Sequence, residues 1–167
     1  MPQTRTNGQT KGRTAARAQG AIDAVEMLKA EHREVESWFE EFERTESAPK
    51  KKKLAAQICK ALRVHTQIEE EIFYPACREA GLSEDMMDEA DVEHDAAKKL
   101  IEEIEAGGPG DDHWDARVSV LSEMIKHHVK EEEQREGMFA RARKSELDLV
   151  ELGEELKARK AELMKKN

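Results

Sequence analysis

The chain has 167 residues, 39% of them charged and only 4% aromatic. That length points to one domain with modest appendages, and the composition favours helix. The formal net charge is −9, and an acidic body argues against nucleic acid as a partner, since phosphate contacts need clustered Lys and Arg.

Residues 1–20 carry Arg5, Lys11, Arg13 and Arg17 and no acid. Low hydrophobicity and Gly, Thr and Gln content predict a disordered basic tail. A helical pattern then runs from about Ala21 to Arg44. Thr45 to Pro49 break it. A second helix is expected from about Lys50 to Ala80, with Gly81 at its C-terminus. Ser83 can cap a third helix reaching about Ala106. Gly107-Gly108-Pro109-Gly110 is a loop. Asp112, with Asp115 three residues on, reads as the cap of a fourth helix that reaches about Glu136. Gly137 weakens or ends it. A more polar fifth helix is expected from Ser145 to about Met164, carrying Leu147, Val150, Leu152 and Leu156.

Four long helices with short connections predict an all-α, up-down-up-down four-helix bundle. The tail at 1–20 precedes it, the bundle spans 21–143, and the additional C-terminal helix occupies 144–167. That last helix either packs on the bundle or makes a homodimer of a monomer. No stretch approaches the ~20 apolar residues that cross a bilayer, and no secretory signal is visible. Cys59 and Cys77 fall on one predicted helix, 18 residues apart. At ~1.5 Å per residue that is about 27 Å, far beyond a disulfide's reach. These features predict a cytoplasmic protein with no membrane contact.

Each predicted helix has an apolar stripe in steps of three and four. The first holds Val25, Leu28, Val35, Phe39 and Phe42. The second holds Leu54, Ile58, Leu62, Ile72 and Ala76. The third holds Met87, Ala90, Ala97, Ile101 and Ile104, and the fourth Trp114, Val118, Leu121 and Ile125. Six polar residues interrupt these stripes: His32, His65, Glu69, His94, His128 and Glu132. A buried, unpaired carboxylate would cost more than a domain's whole stability margin of about 5–15 kcal/mol. A bound cation removes the difficulty, because imidazole and carboxylate become ligands. His65 and Glu69 are four apart, as are His128 and Glu132, so each pair shares a helix face. Counting residues from the first two turns places His32, His65, Glu69 and His94 at matching heights. Four nitrogens and two carboxylates suit two metals, each with two histidines, the glutamates bridging. The donor set fits iron, manganese or zinc.

Other polar residues read as structural. His127 and Glu131 share the HxxxE spacing but lie one step off the stripe, and His113 sits at a helix start. Glu70, Glu71, Glu131 and Glu133 read as solvated, or as acceptors for the far nitrogens of ligating histidines. Tyr74 lies nine residues past His65, half a turn from the ligand face, and is expected outside the site. Cys59 and Cys77 lie about a third of a turn off that face.

The segments EHREV at 31–35, HTQIEEEIFYPA at 65–76, EHDAAKKLIEEI at 93–104 and HHVKEEE at 127–133 form the pattern H…HxxxE…H…HxxxE. Over about residues 22–143 the chain resembles the hemerythrin-like family in its bacterial HHE cation-binding form. The resemblance implies that His32, His65, Glu69, His94, His128 and Glu132 ligate two non-haem irons bridged by an oxygen species. It implies binding or sensing of a small ligand: dioxygen, peroxide or nitric oxide. An enzyme that decomposes peroxide or reduces nitric oxide, or a protein of iron storage or repair, are the alternatives. Oxygen-carrying hemerythrins have a fifth histidine on the third helix. Here Lys98 and Ala90 stand four residues either side of His94, which argues against simple oxygen carriage. The second HxxxE segment also lacks the proline that follows the first.

Overall fold

A computed structural model describes residues 20–166. The predicted tail lies almost wholly outside the described residues. Among those, every regular element is helical. Helix α1 spans Ala24–Arg44. It starts three residues later than expected, because the Asp23 carboxylate accepts the Glu26 amide at 2.9 Å and caps it. Helix α2 spans Ala48–Ile68, with the Ser47 side chain accepting the Lys50 amide at its start.

The expected second helix is not one uninterrupted α-helix. Residues Glu69–Phe73 form a π-turn, and α3 continues as Tyr74–Glu79. A π-turn accommodates one extra residue without breaking the helix. It rotates everything downstream by about 100° relative to an α-helix. The expected stripe residues Ile72 and Ala76 are therefore only half-buried, while Phe73, Tyr74 and Cys77 are fully buried.

Helix α4 spans Glu84–Ala106, but Ser83 makes no side-chain cap bond. Helix α5 spans Trp114–Glu133. The expected Asp112 cap is absent. His113 stands at the cap position in the left-handed region, with φ 63°, and no side chain caps the helix. Asp111 organises this loop instead, its carboxylate accepting the Gly108 amide at 2.7 Å. Trp114 Nε1 donates to the Ile104 carbonyl at 2.9 Å and ties α5 to α4.

Helix α5 ends at Glu133, earlier than expected. Residues Arg135 to Gly137 turn the chain, and a short α6 follows over Met138–Lys144. Gly137 is required by proximity: a Cβ there would lie 2.4 Å from the Glu131 carbonyl and 2.7 Å from that of Glu132. Helix α7 spans Leu149–Lys166. It packs on α1 and α2, burying Leu152, Leu156 and Leu163. The expected Val150 is only half-buried.

The core has two apolar parts. One gathers Leu28, Ile68, Phe73, Met87, Phe139 and Leu156. The other gathers Phe39, Phe42, Ile58, Ile101, Trp114 and Leu121. Glu69, His94 and Glu132 are each at most 1% exposed, and His32, His65 and His128 are also buried. Of the four aliphatic-to-aromatic stripes, each supplies at least one of these six polar residues.

Candidate metal centre

The six stripe-breaking residues meet. His32 Nε2 and His65 Nε2 are 3.1 Å apart, as are His94 Nε2 and His128 Nε2. The two glutamates lie between these pairs. Glu69 places Oε1 3.2 Å from His65 Nε2 and Oε2 3.2 Å from His94 Nε2. Glu132 places Oε2 3.3 Å from His32 Nε2 and Oε1 3.3 Å from His128 Nε2. Each carboxylate thus turns one oxygen to each histidine pair. His32, His65, Glu69 and Glu132 form one donor group, and Glu69, His94 and His128 another. In each group the donor atoms lie within 4.8 Å of one another.

A ring of glutamates fixes the histidines from outside. His32 Nδ1 meets Glu133 at 3.2 Å, His65 Nδ1 meets Glu31 at 3.0 Å, His94 Nδ1 meets Glu70 at 2.9 Å, and His128 Nδ1 meets Glu93. An ionised carboxylate only accepts, so each Nδ1 is the donor. That fixes the tautomer in which a neutral ring presents its Nε2 lone pair inward. The ring closes on itself: α1 holds the histidine of α2, the π-turn that of α4, α4 that of α5, and α5 that of α1.

Tyr74 also lies in this layer, contrary to the expectation from α-helical counting. Its hydroxyl is 2.8 Å from Glu132 Oε1, 3.1 Å from Glu69 Oε2, 3.2 Å from His94 Nε2 and 3.4 Å from His128 Nε2. The extra residue of the π-turn brings it round. Tyr74 stacks on His94, ring centroids 5.4 Å apart, and Phe139 stacks on His32 at 5.7 Å. Phe139 has no hydroxyl to offer. On its side Glu69 Oε1 and Glu132 Oε2 are buried without a hydrogen-bond partner.

The titration of the metal-free cluster follows from this crowding. Burial pushes the His65 imidazole down, but Glu69 and Glu31 outweigh it and raise its pKa to about 10. Burial and the Glu69 charge push Glu132 up, yet His128 and His32 bring it down to about 2. Burial, then the charges of Glu132 and Glu69, hold the Tyr74 phenol well above its ordinary value.

The donor set fits a cation. Two ligand atoms about 2.1 Å from one ion, at a right angle, are about 3 Å apart. The paired Nε2 atoms stand at that separation. Two oxygens left without hydrogen bonds face them, and carboxylate oxygens are hard donors for such an ion. His127 and Glu131 are exposed and lie outside the cluster, as does His113. Glu70 and Glu133 serve as outer acceptors, whereas Glu71 pairs with Arg159 and Glu131 accepts from Gln134. Glu31 and Glu93 were not legible as acceptors from sequence. Their signal was adjacency: each stands immediately before His32 or His94, as Glu70 and Glu133 stand immediately after Glu69 and Glu132.

Cys59 and Cys77 are free and buried. Burial pushes each thiol up to about 12, and neither cysteine belongs to the two donor groups.

A helical bundle enclosing a buried layer of four imidazoles and two carboxylates defines a cation-binding protein. Residues 23–142 match the hemerythrin HHE cation binding domain, and the chain belongs to that family. Its fold is similar to the crystal structure of a hemerythrin HHE cation binding domain-containing protein from Mycobacterium kansasii. The TM-score is 0.70 at 22% identity, covering 85% of this chain and 87% of that one. The chain is also 28% identical, over 115 residues, to a protein named DNA nickase from a Nostoc species. That alignment covers 67% of this chain and 32% of the relative, so the chain spans about a third of the relative's length. No helix among the described residues is long and apolar enough to cross a membrane.

Proposed function

We propose that the protein holds two non-haem irons through His32, His65, Glu69, His94, His128 and Glu132, and there binds or senses dioxygen, peroxide or nitric oxide. The observation that carries this reading is the glutamate ring. Four outer carboxylates fix four imidazoles so that all four Nε2 atoms converge on two bridging carboxylates. A purely structural core would have no use for paired nitrogens aimed at each other. Two irons bound there would supply open coordination and reversible redox chemistry to a small ligand. Manganese or zinc would satisfy the same donors.

The two halves of the site are not equivalent. Around His94 and His128, Tyr74 adds a seventh donor to the six. Around His32 and His65 the corresponding aromatic is Phe139, and the orphaned carboxylate oxygens lie on that side. A small void borders this half, lined in part by Val35, Leu62, Ile125 and Val129, with room for about one water-sized molecule. A groove between α1 and α5, passing Phe39, Ile125 and Val129, reaches His32 from the surface. These features support ligand entry at the His32/His65 half. Charged residues, among them Arg33, Glu36, Lys126 and Lys130, also line the groove, whereas Val35, Leu62, Ile125 and Val129 line the small void beside the site and favour an uncharged diatomic or peroxide there over a hydrated ion.

We also take residues 21–143 as the working unit and residues 144–167 as its addition. The two buried thiols accord with a reducing compartment. DNA nicking is named for a protein of which this chain spans about a third. The net charge of −9 opposes close approach to a phosphate backbone.

The test is metal content per chain with the visible spectrum, before and after air and peroxide. About two irons per chain, a ferric absorption that responds to peroxide, and loss of both in Glu69→Ala are expected. Two irons with an unchanged spectrum in Glu69→Ala would overturn the ligand assignment. Rapid oxygen release from peroxide, abolished in His94→Ala, would turn the reading from sensor to enzyme.

A further inference from the structure

The outer glutamates are themselves held. Arg33 contacts Glu133. Lys98 donates to both oxygens of Glu70 at 2.7 Å. His127 Nε2 lies 3.3 Å from Glu93. Those three bases belong to the matched domain. The fourth does not: Glu31 is contacted by Lys160, which comes from α7, beyond residue 142.

We propose that Lys160 is a positioning residue for the metal centre, acting through Glu31 on His65. The inference rests on the cation-site reading above. The chain of contacts is short. Lys160 Nζ holds Glu31 Oε1, and Glu31 Oε2 accepts His65 Nδ1–H at 3.0 Å. His65 Nε2 then faces His32 Nε2 and Glu69 Oε1. The Glu31 side chain is 10% exposed, so its charge is poorly solvated, and Lys160 is its cationic partner in the structure. With Lys160 on Oε1, the carboxylate is oriented so that Oε2 faces His65 Nδ1; without that contact the carboxylate is free to turn away from the ring. Helix α7 therefore completes the histidine-holding ring as well as covering apolar surface.

A neighbouring residue supplies the control. Arg159, one position earlier on α7, pairs with Glu71 at 2.6 Å, and Glu71 touches no histidine. Lys160→Met and Arg159→Met each remove one salt bridge that docks α7, but only the first touches the ring.

The experiment uses the full chain in two arms. The first is nitrogen-15 NMR of the histidine side chains in metal-free protein, with the His65 Nδ1–H signal assigned by His65→Gln. The second is competitive titration with zinc. Lys160→Met should broaden or lose the His65 signal and weaken one of two zinc sites about tenfold, the low end for losing an outer partner of a metal ligand. Arg159→Met should leave both at wild-type values, and Lys160→Arg should restore them. Lys160→Gln repeats the test with a polar side chain. Wild-type behaviour in Lys160→Met and Lys160→Gln, or an equal effect of Arg159→Met, overturns the proposal. A wild-type chain that takes up no zinc or iron would overturn the cation-site reading instead, and the NMR arm would still decide whether Lys160 positions His65.

Discussion

Replacing Tyr74 with Phe removes one oxygen from the middle of the centre. In the metal-free protein that hydroxyl has one proton and its shortest contact is Glu132 Oε1, at 2.8 Å. A buried hydrogen bond to a charged group is worth about 1.5–3 kcal/mol. Glu132 keeps contacts to His32 and His128, so the lower end applies. Roughly 3 °C per kcal/mol for a domain of this size gives a fall in Tm of about 4–6 °C. Scanning calorimetry on chelator-treated protein measures it. In loaded protein the same substitution withdraws a donor from the His94/His128 half alone. Zinc titration should then show one site weakened and the His32/His65 site unchanged. An unchanged Tm together with two unchanged sites would refute the placement of Tyr74, and with it the π-turn that puts it there.

The remaining predictions concern the same layer and its supports. Phe139→Tyr adds a hydroxyl to the ring that stacks on His32, on the side of the two orphaned oxygens, so if it reaches either one it should raise the Tm of the metal-free protein and slow the response of loaded protein to peroxide; a fall in Tm with an unaltered response would contradict the asymmetry. The His65 pKa is raised from its unfolded value near 6.5 to about 10. Its contribution is therefore full below pH 6.5 and lost as pH rises through 10, and metal-free Tm should decline across that window. Glu132 is depressed to about 2, so its contribution is full above about pH 4.5 and lost as pH falls toward 2. A metal-free Tm that rose from pH 6.5 to 10 would contradict the His65 assignment, and one that rose as pH fell from 4.5 to 2 would contradict that of Glu132. Because bound metal replaces those protons, zinc affinity should increase with pH over the upper window, as competition titrations at several pH values would show. A Cβ on Gly153 would lie 2.8 Å from the Ile22 carbonyl and 2.9 Å from the Ala24 amide. Gly153→Ala should lift α7 from the start of α1 and cost about 1–3 kcal/mol in urea unfolding; no loss would mean that α7 docks more loosely than described.

The bundle and the six inner residues were legible because burial and polarity conflict. An apolar stripe broken by His or Glu can be read without coordinates, and the HxxxE spacing then says which way the side chains point. The outer glutamates were not legible in the same way. Among the 37 acids of the chain these four carry no contrast, and each holds a histidine on a different helix. Their pairing exists only after the helices meet. Tyr74 was misplaced because counting assumes 3.6 residues per turn, and a single extra residue at Glu69–Phe73 defeats the count beyond it. The early end of α5 had a similar cause. Gly137 signalled a break, but only the carbonyls of Glu131 and Glu132 pressed against it explain why no other residue would fit.

The glutamate ring also has a symmetry that bears on how the chain is built. Exchanging the first helical hairpin for the second maps His32 onto His94, His65 onto His128, Glu69 onto Glu132, Glu31 onto Glu93 and Glu70 onto Glu133. Every bond in the ring survives the exchange. Yet His32 is held by a residue of the second hairpin and His94 by a residue of the first, so neither hairpin could assemble its own half alone. The two are interlocked like clasped hands, and the difference between Tyr74 and Phe139 is what tells the left hand from the right.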